Sequence, residues 1–133
     1  MSEQQQTLTV QQALDLGVQH HTVGRLSEAE DIYQQILQNH PDQPVALHLL
    51  GVIAHQTGKN DVAVKFITKA ININPDYAEA HSNLAATFRK LGQLDKSVSS
   101  CHKALVIKPD YVDAHNNLGI ALHELGRLDE AIV

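Results

Sequence analysis

The chain has a single cysteine, and that scarcity excludes an internal disulfide framework, a thiolate zinc site and a CxxC redox centre together. A reducing compartment is expected, and the cytoplasm is the expected location. Basic charge is also short: ten Lys and Arg stand against 15 Asp and Glu, a formal net charge of -5 with His neutral. That is the wrong sign for a protein that neutralises phosphates, so nucleic acid is not an expected partner. No apolar run approaches the roughly 20 residues a membrane helix needs. The opening MSEQQQTLTV lacks both the basic and the apolar region of a signal peptide, so no membrane partner is expected either. GxSxG, a Gly-rich phosphate loop, HExxH and HxxxH are all missing. No catalytic residue, cofactor or metal site is therefore assigned, and the chain is not expected to be an enzyme. What remains is 133 residues, 43% hydrophobic and 19% charged, an ordinary composition for one globular domain.

Within that composition Gly and Pro recur with a period of 34. Gly24, Gly58, Gly92 and Gly126 form one series, Pro41, Pro75 and Pro109 a second, and Gly17, Gly51, Ala85 and Gly119 a third. All seven glycines fall in two of these columns, so they serve as periodic structural marks. Each unit reads as two helices. In the third, Leu84, Ala85, Phe88 and Leu91 follow a helical stripe and Gly92 ends the segment as a residue free to take positive φ. This is helix A. Helix B begins near Asp95, turns Val98, Cys101, Ala104 and Leu105 inward, and stops before Pro109, which cannot continue a helix. Asp76 with Glu79, and Ser27 with Glu30, have the spacing of capping boxes at helix starts.

These residues resemble the tetratricopeptide repeat family. His81, Leu84, Ala85, Phe88, Gly92, Ser97, Cys101, Ala104 and Pro109 stand at the places of its 34-residue pattern, as do Leu16, Gly17, Gly24, Ala29, Tyr33 and Pro41. The pattern is departed from at position 4 (Ala13, Leu47, His81, His115), where the family favours Trp, and at position 11, where His20, Ala54 and Leu122 replace an aromatic. The resemblance implies an all-α solenoid of antiparallel helix pairs in a right-handed superhelical stack. Its expected units are residues 10–43, 44–77 and 78–111, after a polar segment 1–9 and before an incomplete fourth unit, 112–133. That unit stops before its positions 24, 27 and 32, a few residues into helix B, which reads as truncation. Stacked units share one core, so each is stabilised mainly by its neighbours. The small residue at position 8 is expected to admit helix B closely, with Gly51→Ala tolerated because Ala85 occupies that column.

The nine His are tested as a metal site and fail. His21, His55 and His123 share position 12 with Arg89, but equivalent helices lie at least about 8–10 Å apart, while zinc needs its nitrogens at about 2.0–2.1 Å. Protonation of the three is expected to make binding depend on pH. Cys101 is read as a packed thiol, and His81 and His115 as packing residues with a polar tip.

In the family a concave groove is lined by helix A positions 2, 5, 6, 9, 12 and 13. The resemblance implies a partner-binding set here of His21, His48, Leu49, Val52, His55, Ser82, Asn83, Ala86, Arg89, Lys90, Asn116, Asn117, Ile120 and His123. Asn83 and Asn117 resemble two rungs of the asparagine ladder in O-linked N-acetylglucosamine transferases. The Lys and Asn clamp of chaperone-tail-binding members is absent, Leu14, Val18, Leu49, Glu79 and Asn83 standing at its positions. The expected function is a non-catalytic module that binds a protein or peptide partner. Two alternatives are kept: the substrate-recognition arm of a larger enzyme such as a glycosyltransferase, and a scaffold that self-associates through its uncapped C-terminal end.

Overall fold

Three glycines fix where the chain turns. Gly24, Gly58 and Gly92 have φ of 86°, 82° and 75°, a region that side-chain-bearing residues rarely enter. Each lies just past a helix and closes it with a pair of backbone bonds: Arg25, Lys59 and Gln93 N–H to the carbonyls of His20, Ala54 and Phe88, and the glycine N–H groups to those of His21, His55 and Arg89. The chain is thereby re-aimed into the next helix.

A computed structural model describes residues 7–132, with side chains to residue 128. Seven helices follow one another: α1 (Val10–Thr22), α2 (Leu26–Asn39), α3 (Pro44–Gln56), α4 (Asn60–Ile73), α5 (Ala78–Lys90), α6 (Leu94–Ile107) and α7 (Val112–Ile132). The A helices α1, α3, α5 and α7 start 34 residues apart, as do the B helices α2, α4 and α6. Every B helix stops before a proline, and a turn bonds residue 43 to 40, 77 to 74 and 111 to 108. Pro44 stands at the first position of α3, where its missing N–H costs nothing. None of the described helices is long and apolar enough to cross a membrane.

The expected capping boxes at Asp76–Glu79 and Ser27–Glu30 are not formed. Ser27 lies inside α2, and neither Arg25 nor Tyr77, the cap residues of α2 and α5, makes a side-chain cap bond. The tight glycine turn leaves no room for an extended cap residue before a B helix, and Glu28, Asp61 and Asp95 in the first turns complement the helix dipoles instead. The capping box that does form is at α1: Thr9 Oγ1 accepts from Gln12 N at 3.1 Å and Gln12 Oε1 accepts from Thr9 N at 2.9 Å.

One core cluster joins the first two pairs through Leu14, Tyr33, Ile36, Leu50 and Ile53, and another joins the second to the third through Ala54, Ala63, Ile67, Ala80 and Leu84. Position 8 sets how closely each pair packs. A Cβ on Gly17 would fall 2.5 Å from Tyr33 Cε1, and one on Gly51 would collide with Ile67 Cγ1. Ala85 is accommodated because its counterpart on α6 is the smaller Cys101, which is fully buried. The tolerance of Gly51→Ala expected from the Ala85 column is therefore corrected.

The fourth unit also departs from expectation. Helix B does not begin after Gly126; α7 continues through Gly119 and Gly126 as one helix of 21 residues. In units one and two the side chain at position 24, Tyr33 or Ile67, lies against position 8, and in the third both Ala85 and Cys101 are fully buried. In the fourth unit a Cβ on Gly119 would meet nothing within 4 Å. With nothing packed over Gly119 among the described residues, continuing the helix adds about one backbone bond per residue and outweighs the roughly 1 kcal/mol that a helical glycine costs. Leu122 is left 50% exposed, whereas the aligned Phe88 is half-buried under α6.

The Tyr33 hydroxyl is buried with no hydrogen-bond partner among the described residues, and burial pushes its pKa up to about 12. Leaving a hydroxyl unpaired costs stability that its ring packing must offset. Tyr33→Phe is therefore expected to be neutral or stabilising by up to about 1 kcal/mol, against a loss of roughly 3–5 kcal/mol for Tyr33→Ala. Urea unfolding checks this; a loss above about 1 kcal/mol for the Phe variant would mean that the hydroxyl is bonded.

Candidate functional site

The A helices turn one face away from the B helices, and its columns fall into three environments. Position 5 is covered by the following A helix: Leu14, His48 and Ser82 are buried, and Asn116, on the last described A helix, is exposed. The next unit occupies the space in front of His48 and Ser82 through Asn83 and Asn117. Position 9 forms an apolar strip of Val18, Val52, Ala86 and Ile120, exposed at its two ends and half-buried between. Positions 6, 12 and 13 flank it with Leu49, Asn83, Asn117, His21, His55, Arg89, His123 and Lys90, all half-buried or exposed.

Polar side chains on this face bond along diagonals, not down columns. His21 Nε2 donates to Gln56 Oε1 at 2.8 Å, the Asn83 amide nitrogen lies 2.8 Å from His48 Nε2, and the Asn117 amide nitrogen donates to Ser82 O and Oγ, both at 3.1 Å. Arg89 reaches Glu124 at 3.7 Å. In every case the partners are 35 residues apart, because each A helix is advanced by one position relative to the last. Position 5 of one unit therefore meets position 6 of the next, and position 12 meets 13. Leu14 and Leu49 continue the first diagonal in apolar form within the same core cluster. These bonds tie unit to unit.

His48 is the centre of the longest chain. An amide nitrogen only donates, so Nε2 accepts from Asn83 and the ring proton sits on Nδ1, which donates to the Tyr77 hydroxyl oxygen at 2.9 Å. The two rings meet edge to face with centroids 4.7 Å apart. Burial drives the His48 pKa down to about 4, with the Glu79 charge opposing, and burial raises Tyr77 to about 12. His48 is neutral at pH 7.

The remaining candidates separate cleanly. His55 donates from Nδ1 to Asn60 Oδ1 at 2.8 Å. His81 and His115 each donate from Nε2 to a proline carbonyl six residues earlier, Pro75 at 2.9 Å and Pro109 at 2.8 Å, pinning the junction between units. Cys101 is fully buried and desolvation raises its thiol to about 11, so it stays protonated and packs as a small hydrophobe. Among the described residues no three His, Cys, Asp or Glu converge as metal ligands. The diagonals are not visible in columns of equal position, because the one-position offset is a consequence of how successive helices are inclined.

Thirty-four-residue helix pairs with a shared core and one open face per A helix define a helical-repeat solenoid of the protein-interaction class. The chain belongs to the tetratricopeptide repeat family: models described as tetratricopeptide repeat and TPR repeat match residues 22–87 and 86–126. Among solved structures, an O-GlcNAc transferase mutant from Thermobaculum terrenum is 30% identical with a TM-score of 0.83, over 88% of this chain and 24% of that one. The chain thus spans about a quarter of the transferase. MamA is 25% identical with a TM-score of 0.80, over 93% of this chain and 68% of MamA. The first TPR of Spaghetti (RPAP3), bound to an HSP90 peptide, shares the fold at a TM-score of 0.81 and 23% identity, over 86% of this chain and 90% of its own. No curated protein sequence matches the chain.

Proposed function

We propose that the protein is a non-catalytic module whose A-helix face takes an extended or helical segment of a partner protein. The observation that carries this is the strip Val18, Val52, Ala86 and Ile120, an apolar track open along the face and bordered by hydrogen-bonding groups. Asn83 and Asn117 donate from their amide nitrogens to the protein itself, which leaves their amide oxygens to accept from a peptide N–H. An apolar track with amide acceptors suits main-chain and side-chain recognition together. The peptide-bound relative supports a peptide ligand, but Leu14 is buried and Leu49 half-buried in the core cluster here, so no side chain at those places holds a terminal carboxylate. With a partner captured from a lysate and then purified, Val52→Asp with Ala86→Asp is expected to weaken binding at least tenfold while circular dichroism stays unchanged. Equal affinity would remove the face from the account.

A second reading, an arm that presents substrates to a larger enzyme, is favoured by the 30% identity to the O-GlcNAc transferase. The sequence of the whole gene decides it, since a catalytic domain would have to be encoded alongside the repeats. Self-association remains the third reading and rests on the exposure of Leu122 and Leu128 on α7; a mass independent of concentration would remove it.

A further inference from the structure

A second recess lies on the opposite side of the solenoid, between α4 and α6, with α5 as its floor. Its cavity is about 350 Å³, and its apolar wall is Ile71, Leu84 and Phe88. The α5 residues here stand at positions 4, 7 and 11, none of which faces the peptide groove. Two changes in the repeat shape this recess. Position 23 is Ile32, then Phe66, then Ser100, and position 19 is Glu28, then Val62, then Lys96. The corresponding recess between α2 and α4, about 450 Å³, therefore has Phe66 and Val62 in its wall and one charge of each sign, Glu30 and Lys59. Between α4 and α6 the aromatic comes from Phe88 on α5, the buried Ser100 opens the B-helix side, and the charged lining is Lys96 and Lys103 with no carboxylate.

In a chain of net charge -5 this is a local reversal of sign. Both lysines are exposed, and among the described residues neither has a carboxylate oxygen within 4.0 Å. Lys96 Nζ instead lies 5.7 Å from the centre of the Phe88 ring, at the rim of the apolar wall. Lys96 and Lys103 are seven residues apart on α6, two turns or about 10 Å. An apolar recess flanked by two unpaired cations at that spacing has a defined complement. We propose that this recess docks an acidic amphipathic helix of a partner protein, with carboxylates at i and i+7 on the two lysines and large apolar side chains at i+3 and i+4 between them, against Ile71, Leu84 and Phe88. Positions i, i+3, i+4 and i+7 share one helix face, so a single helix meets all these requirements. The surface is separate from the A-helix groove and does not depend on what that groove binds.

The probe is a labelled helix-forming peptide carrying Glu, Leu, Phe and Glu at i, i+3, i+4 and i+7, with a second peptide in which both Glu are Lys. Binding of the acidic peptide to the 133-residue chain is measured by fluorescence anisotropy at low and at physiological salt. The expected result is binding that weakens with salt, as exposed charge pairs must, and at least a tenfold loss with Lys96→Glu plus Lys103→Glu. The Lys peptide is expected to bind that double variant better than it binds the wild type. Ser100→Phe, which leaves charge unchanged and narrows the recess, is expected to weaken the acidic peptide too. Val52→Asp with Ala86→Asp, in the groove, is expected to leave it unaltered. No binding of the acidic peptide, equal binding to the lysine variant, or loss through the groove variant would each overturn the proposal. So would a dimer of the wild-type chain that the lysine variant dissolves, since the occupant would then be a second copy.

Discussion

Gly51→Leu will lower the melting temperature far more than any surface substitution, and Gly51→Ala will lower it too. A Cβ at residue 51 meets Ile67 Cγ1 at clash distance, Ile67 Cδ1 at 3.2 Å and the Ala63 carbonyl at 3.3 Å. Ile67 is fully buried and β-branched, so it cannot swing its γ-carbon aside, and the carbonyl belongs to the α4 backbone. Overpacking of this kind costs about 1–3 kcal/mol for a methyl, more than the roughly 1 kcal/mol that alanine returns through helix propensity. Leucine adds three further carbons with no space for them. The third unit shows the remedy the chain itself uses, Ala85 facing Cys101. In an Ile67→Cys background, Gly51→Ala is therefore expected to become neutral or stabilising, a reversal of sign measurable in a double-mutant cycle. Additive effects would mean that the two residues do not compete for one space.

The wild type will lose stability on acidification in a way that His48→Gln does not. The unfolded imidazole takes up a proton near its ordinary 6.5, but the folded one only near 4, because burial disfavours its charge. Between those values the unfolded state holds more protons, so stability falls as pH drops from 6.5 towards 4, and above 6.5 this group contributes no slope. At about 1.4 kcal/mol per unit, the loss attributable to His48 is roughly 3 kcal/mol by pH 4. Glutamine can still accept from Asn83 and donate to Tyr77, so the variant keeps the bonds and removes the titration. Every other group is common to both proteins and cancels in the difference. Denaturant midpoints from pH 7 to 4 should separate progressively; parallel curves would place His48 in contact with water.

The repeat was legible because Gly and Pro act through the backbone alone. A positive φ at Gly24, Gly58 and Gly92 and a helix stop before Pro41, Pro75 and Pro109 follow from those residues wherever they stand, so the period gave the helix order directly. Pairing at position 8 was half legible. The small column is visible, but whether Ala fits at Gly51 depends on the residue at position 24, Ile67 there and Cys101 opposite Ala85. Helix α7 was not legible: Gly126 stands in the turn column, yet the helix runs through it, and nothing packs over Gly119 among the described residues. Of the groove, the strip at position 9 emerged from the columns. The burial of His48 and Ser82 did not, because it depends on the offset between neighbouring helices that also creates the 35-residue bonds.

The most direct test of the account is where a bound partner lies. A photo-crosslinking residue placed singly at Val52, Ala86 or Ile120 of the open face, and at Glu28 on α2 as a control, reports it without assumptions about affinity. The account predicts that the captured partner crosslinks through residues 52, 86 and 120 and not through 28. Crosslinking through 28, with none along the three face positions, would contradict it.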